Sequence, residues 1–232
     1  NNQEKMAKLL GVDFDKILFP STISEEELIN EIVSLNRRED ISGIILQLPL
    51  PKSMDEKKVI STISSSKDID CLTYENIGKL YMGEDSFTPC TPNSVIQILK
   101  SLDITLEGKR AVIVGRSNIV GKPLSTLMLK ESCTVTVCHS KTKNLKDICK
   151  EADILISAIG KPKYINDEFV KNGAIVIDVG TSSVNGKITG DIDFDKVVDK
   201  ASYITPVPGG VGALTTTLLI KNSCEAIGKY ED

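Results

Sequence analysis

The sequence predicts the α/β class, with a doubly wound parallel sheet and a second, smaller α/β domain beside it. Three observations carry that prediction. Beyond residue 92, β-branched runs at 111–114, 134–138, 154–157 and 175–179 alternate with helical patterns at 123–129, 145–150 and 168–171. The first of those runs, 111–114, is β-branched and apolar, breaks at Gly115 and restarts as a helix at Gly121. Before residue 92 the rhythm differs, and 73–91, with Gly78, Gly83 and Pro89, predicts an irregular connection between domains. The predicted boundary falls between residues 91 and 92.

The elements follow in order. Residues 1–11 predict the tail of a helix, with Met6, Ala7, Leu9 and Leu10 apolar and Gly11 as its C-cap. A helix rarely opens a domain without a cap, which predicts further chain upstream. Ile17, Leu18 and Phe19 predict a short strand ended by Pro20. Ser24 and Glu27 form a capping box ahead of Leu28, Ile29, Ile32, Val33 and Leu35 at helical spacing. The run from Gly43 to Pro49 predicts a buried parallel strand, followed by a helix at 57–63 and a polar loop at 64–71. Pro92 falls in the first turn of a helix carrying Val95, Ile96, Ile98 and Leu99. A last strand at 202–205 and a helix at 214–227 close the chain.

Composition narrows the function classes. The chain has 232 residues, enough for one large or two small domains, and a net charge of -4 without a basic block. That balance argues against nucleic acid and membrane surfaces as partners. No apolar run approaches the ~20 residues of a membrane span. The six cysteines show no C-x-x-C spacing, and the single His139 excludes a multi-histidine metal cluster. No metal site is expected. Scattered thiols point to a reduced compartment, the cytoplasm or an organelle matrix.

Five stretches carry candidate chemistry. In Val114-Gly115-Arg116-Ser117-Asn118-Ile119-Val120-Gly121 a strand breaks at glycine and restarts as a helix, which offers backbone N–H groups and a positive helix end to a phosphate. Ser117 stands where the middle glycine of G-x-G-x-x-G would be, and an ordinary βα turn is the competing reading. The second strand ends Cys138-His139-Ser140-Lys141-Thr142, without the carboxylate that usually receives the NAD ribose. With Arg116 nearby, those groups suit a 2′-phosphate and favour NADP; a solvated polar loop is the alternative. Gln47, at the carboxyl end of an apolar run, is either a site residue or a satisfied core amide. Asp68 and Asp70, read alone, fit solvated turn positions. Pro206-Val207-Pro208-Gly209-Gly210-Val211-Gly212 is a stiff, small-residue segment that lets a flat ligand approach the backbone.

Together, Ile45-Leu46-Gln47-Leu48-Pro49-Leu50-Pro51, Lys67-Asp68-Ile69-Asp70, Pro89-Cys90-Thr91-Pro92, the Gly115–Gly121 turn, His139-Ser140-Lys141-Thr142 and the 206–212 segment resemble one family. It is the methylenetetrahydrofolate dehydrogenase/methenyltetrahydrofolate cyclohydrolase family. The resemblance spans nearly the whole chain in order. It implies a folate-binding catalytic domain of residues 1–91 completed by a C-terminal helix in 213–232, a Rossmann-like NADP domain of residues 92–212, a cleft between them, a homodimer, and a role in one-carbon metabolism and purine biosynthesis. The implied activity is oxidation of 5,10-methylenetetrahydrofolate with NADP, then hydrolysis of the methenyl product to 10-formyltetrahydrofolate. By position, Asp70 would bond the pterin and Gln47 would orient the catalytic lysine. Leu46, Gln47, Leu48, Pro208, Gly209, Gly210 and Gly212 would line the folate site. Gly115, Arg116, Ser117 and Ser140 would hold NADP, with Thr181 near the nicotinamide.

One departure bears on chemistry. Counting back from Gly11, the family's lysine position falls on Gln3, and its tyrosine partner would precede residue 1. Lys5 is two positions along the helix, rotated about 200° away, and does not substitute. Glutamine accepts no proton at neutral pH, so a catalytically impaired or silent folate/NADP-binding homologue is the alternative. An unrelated NADP dehydrogenase sharing only the nucleotide domain is a further one, opposed by Gln47 and Asp70. Smaller departures are Cys71, Ala213-Leu214 and Thr181-Ser182.

Overall fold

A computed structural model describes residues 2–228; residue 1 and 229–232, which the predicted domain bounds include, lie outside them. The chain divides into two compact units: residues up to Cys90 together with those from Thr216, and Thr91–Thr215.

The first unit opens with α1 (Asn2–Leu9). Its end is a Schellman cap: Val12 N–H donates to the Ala7 carbonyl at 2.9 Å and Gly11 N–H to Lys8 at 3.3 Å, with Gly11 at φ +72°. The capping box forms as expected at α2 (Glu25–Arg37), where Ser24 Oγ accepts from Glu27 N–H and Glu27 from Ser24 N–H. Then come α3 (Glu56–Thr62), capped by Asp55, and α4 (Tyr74–Met82). The latter corrects the expectation of an irregular 73–91 segment. Thr73 caps its start, Asn76 and Leu80 are buried, and Gly83 at φ +76° ends it, so the glycine marks a helix end. The predicted strands at 17–19 and 43–49 are also corrected. Only Ile44 pairs, in an isolated parallel bridge to Asp68, and Leu18 stays 76% exposed. A strand needs a ladder partner, and among the described residues those runs have none beyond that bridge. Leu28, Ile32, Ile44, Val59 and Ile63 form this unit's core.

The second unit takes in α5 (Cys90–Ser101) from Thr91 onward, then β1 (Arg110–Val114), α6 (Gly121–Lys130), β2 (Thr134–Cys138), α7 (Leu145–Lys150), β3 (Ile154–Ser157) and β4 (Ile175–Asp178). The predicted helix at 168–171 is a single 3₁₀ turn, Asp167–Phe169, capped by Asn166. A hairpin of β5 (Ser182–Val184) and β6 (Lys187–Thr189), the short α8 (Phe194–Val197), β7 (Tyr203–Ile204) and the first turn of α9 (Val211–Gly228) follow, the rest of α9 from Thr216 belonging to the first unit. The sheet is parallel throughout, in the order β2-β1-β3-β4-β7. Buried side chains fill β3 and β4 end to end, whereas β2, at the edge, alternates. Val112, Val114, Leu155, Val176 and Ile165 anchor the core. From β1 the chain moves to one side for β2 and returns to the other for β3, so the strand order reverses between β1 and β3. Ligands of doubly wound sheets bind at the carboxyl edge of that reversal.

Candidate functional site

At the reversal point the backbone is packed too closely for side chains. Gly115 ends β1 at φ +135°, and a Cβ there would collide with the Ala158 carbonyl. A Cβ at Gly121 would collide with the Gly115 carbonyl. The turn between them is held by Ser117, whose Oγ accepts from Val120 N–H at 3.1 Å, and by Lys122 N–H on the Ser117 carbonyl at 3.1 Å. Helix α6 starts at Gly121 with no side-chain cap, directing its positive end at this edge. Because Val114 pairs with Cys138, the exposed Arg116 and Ser117 share the carboxyl edge with Ser140. A tight turn fixes the end of β2: His139 N–H donates to Thr142 Oγ1 at 2.8 Å, and Lys141 N–H to His139 Nδ1 at 3.1 Å. No carboxylate occurs in 115–122 or 138–143. The donors and cations present fit a phosphate-bearing ribose.

Thr181 is exposed beyond the end of β4, and the 206–212 segment leaves the end of β7. Pro208, Gly209 and Gly212 are exposed there, the Val207–Pro208 peptide is cis, and a Cβ at Gly210 would lie 2.5 Å from the Pro206 carbonyl. The structure thus gathers Gly115, Arg116, Ser117, Ser140, Thr181 and the 206–212 segment at the carboxyl edge of one sheet.

In the first unit, Gln47 Nε2 donates to Gln3 Oε1 at 3.4 Å, joining the two amides singled out in the sequence. Gln47 is exposed, between half-buried Leu46 and Leu48, which overturns the premise of a buried amide forced to find partners. It borders a hollow of about 1030 Å³ that Val12, Phe14, Phe19 and Ile32 also line. Asp70 is half-buried and accepts from Cys90 N–H at 3.2 Å, with its carboxyl raised above the ordinary range chiefly by lost solvation.

Asp68 and Lys67 do not fit solvated turn positions. Asp68 is buried and accepts from Leu72 N–H (2.9 Å), Thr73 N–H (2.8 Å), Thr73 Oγ1 (2.7 Å) and Asn76 Nδ2 (3.0 Å). Buried Lys67 donates to the Leu35, Asn36 and Arg38 carbonyls, closing the end of α2.

Three buried polar residues escaped the sequence reading. Asn222 on α9 donates to the Ile69 carbonyl at 2.8 Å and the Thr88 carbonyl at 3.1 Å, bracing the segment that carries Asp70. Asp178 and Asp191 hold backbone amides beside the sheet's carboxyl edge. Among the described residues no cluster of three or more His, Cys, Asp or Glu is arranged for a metal, and no helix is long and apolar enough to cross a membrane.

Two family models match the chain. One describes the tetrahydrofolate dehydrogenase/cyclohydrolase catalytic domain, over residues 1–70, and the other the NAD(P)-binding domain of the same enzymes, over 89–231. The chain belongs to the tetrahydrofolate dehydrogenase/cyclohydrolase family. It is 64% identical to the bifunctional protein FolD of Clostridium botulinum over 232 residues, which is all of this chain and 82% of that relative. The solved bifunctional FolD enzyme of Campylobacter jejuni is 41% identical, with a TM-score of 0.96 over 99% of this chain and 82% of its own. The Trypanosoma brucei enzyme, solved with NADP and an inhibitor, is 37% identical, with a TM-score of 0.94 over 98% of this chain and 80% of its own.

Proposed function

We propose that this member of the family oxidises 5,10-methylenetetrahydrofolate with NADP and hydrolyses the methenyl product to 10-formyltetrahydrofolate. The observation that carries the reading is the carboxyl edge of the sheet, where Gly115 and Gly121 let the turn pack closely ahead of the uncapped start of α6, and where Arg116, Ser140 and Lys141 are exposed with no carboxylate in 115–122 or 138–143. When bound, NADP supplies the hydride acceptor. The chain's own residues bind and orient. Backbone around Gly115 and the start of α6 meet the pyrophosphate, and Arg116, Ser117 and Ser140 meet the phosphorylated ribose. Thr181 lies at the nicotinamide. Asp70 bonds the pterin, while Leu46, Gln47, Leu48, Pro208, Gly209, Gly210 and Gly212 border the folate. Residues 1–91 with 213–232 form the folate domain and 92–212 the NADP domain. The protein acts as a cytoplasmic homodimer that supplies purine biosynthesis, without nucleic-acid or membrane partners.

Hydrolysis needs a group that takes a proton from the attacking water. An amide does not, so Gln3, whose Oε1 accepts from Gln47 Nε2, can orient but takes up no proton. That pair favours a second reading, a folate- and NADP-binding protein whose turnover is impaired. Separate assays decide between them: NADP reduction with 5,10-methylenetetrahydrofolate, and loss of methenyl absorbance. Both activities in the wild type support the first reading; binding of both ligands with no turnover supports the second. Gln3→Lys is expected to speed hydrolysis by about 10²-fold or more, the scale of a positioned proton acceptor. Arg116→Ala is expected to weaken NADP about tenfold while leaving NAD unchanged, and equal losses would refute the 2′-phosphate role.

A further inference from the structure

We propose that Asp178 and Asp191 act as a buried latch that positions the 157–161 loop and the Gly180-Thr181 segment for the nicotinamide end of the cofactor. The proposal rests on the NADP reading above and adds two positioning residues to it. Asp178 closes β4, and its Oδ1 accepts from Gly180 N–H and Asp191 N–H, both at 3.0 Å, while Oδ2 accepts from Ile192 N–H at 2.9 Å. Asp191 lies on the returning side of the β5–β6 hairpin. Its Oδ2 accepts from Ser157 Oγ at 3.1 Å and Ile159 N–H at 2.7 Å, and its Oδ1 from Lys161 N–H at 2.8 Å.

The two carboxylates therefore cross. The outgoing strand's acid holds the incoming backbone, and the incoming strand's acid holds the loop after β3. That loop is the one at the sheet's reversal point, where Ala158 N–H donates to the Val114 carbonyl at 2.8 Å and Gly115 packs against the Ala158 carbonyl. Bonds thus run without a gap from the base of the hairpin, through Asp178 and Asp191, to the glycine turn that faces the phosphates. Gly180 and Gly190 complete the fit, since a Cβ at the first would collide with the Asp191 carboxyl and at the second with that of Asp178.

Three features separate this from ordinary core support. Both acids are buried, at 3% and 0% exposure, yet neither forms an ion pair among the described residues, so every bond is a directional one from N–H or hydroxyl. The hairpin they tie down is itself exposed on both strands, so of the groups the latch holds only Ile192 and Ile159 reach the unit's core. The groups it fixes follow the carboxyl ends of β3 and β4, the edge where a doubly wound sheet binds ligand. Two buried acids without a cation cost stability, and Asp178 is pushed up to about 6 by lost solvation, with Asp191 adding repulsion. Such a cost is characteristic of positions fixed for binding or catalysis.

The test compares two ligands by calorimetry on the full chain. NADP reaches both ends of the site, whereas adenosine 2′,5′-bisphosphate occupies only the ribose end. Asp191→Asn puts an NH₂ group against N–H donors and opens the latch. It is expected to weaken NADP about tenfold and to leave the bisphosphate within about twofold of wild type. Equal weakening of both ligands, or of neither, would overturn the latch as a nicotinamide-end device. Should Asp191→Asn fail to fold, Ser157→Ala removes a single donor and is expected to give the same split at about threefold, with the same overturning results. A wild type that binds neither ligand would sink the NADP reading itself, a distinguishable outcome.

Discussion

The two units of this chain satisfy their backbones in different ways. In Thr91–Thr215 a five-stranded parallel ladder does the work, flanked by helices, and its central strands are buried throughout. In the unit formed by residues up to Cys90 and from Thr216, strand-type pairing among the described residues comes down to the Ile44–Asp68 bridge, and turns and a set of side chains hold the rest. Lys67 closes one helix, Asp68 holds the start of another, and Asn222 braces the Asp70 segment. A ladder spreads its stability over many equivalent bonds, whereas a side-chain clamp concentrates it in one residue. The two units should therefore respond differently to single substitutions.

The largest expected effect is at Asp68. Asp68→Ala removes one acceptor and strands several buried donors, at ~1–3 kcal/mol each before relaxation, so a loss of about 3 kcal/mol or more is expected in denaturant unfolding. Faster amide exchange at Leu72 and Thr73 should accompany it. A loss below about 1 kcal/mol would show that the clamp does not hold this unit.

The next effect sharpens the comparison from the sheet side. Burial raises the Asp178 carboxyl from 3.8 to about 6, so the native chain keeps a proton that the unfolded chain has already released. This group's contribution is full below about pH 4, declines as pH rises through 6, and is absent above, a change of about 3 kcal/mol. Stability curves of wild type and Asp178→Asn, measured from about pH 4 to pH 7, should diverge toward acid in favour of wild type. A difference independent of pH would contradict the assignment.

The smallest effect tests a local feature. Ser24→Ala breaks the capping box of α2 and should cost about 1 kcal/mol. No measurable loss would mean that Lys67, at the other end of that helix, is sufficient.

What was legible in the sequence follows the same division. The strands past residue 92 with helices α6 and α7, the capping box and the Gly11 cap depend on near neighbours and appear where the pattern puts them, while the helix expected at 168–171 is one 3₁₀ turn. The β5–β6 hairpin was overlooked although Asn185-Gly186, with φ of +50° and +76°, is a strong two-residue turn signal. Helix α4 was hidden because Gly78 and Gly83 suggested irregularity, while the Thr73 cap that starts it was available. The strands expected at 17–19 and 43–49 failed for another reason: apolar runs show strand propensity but do not reveal whether a partner is present. The glycine turn that follows β1 was legible because a strand, a glycine and a helix start in succession form a short local pattern. Asp178, Asp191 and Asn222 were not, because most of their partners lie a full element or more away and are backbone groups that carry no sequence signal.

The most direct test of the account is NADPH fluorescence after mixing the chain with NADP and 5,10-methylenetetrahydrofolate. The account predicts NADPH formation that requires both substrates and is reduced by Arg116→Ala. Absence of NADPH while both ligands bind would contradict it.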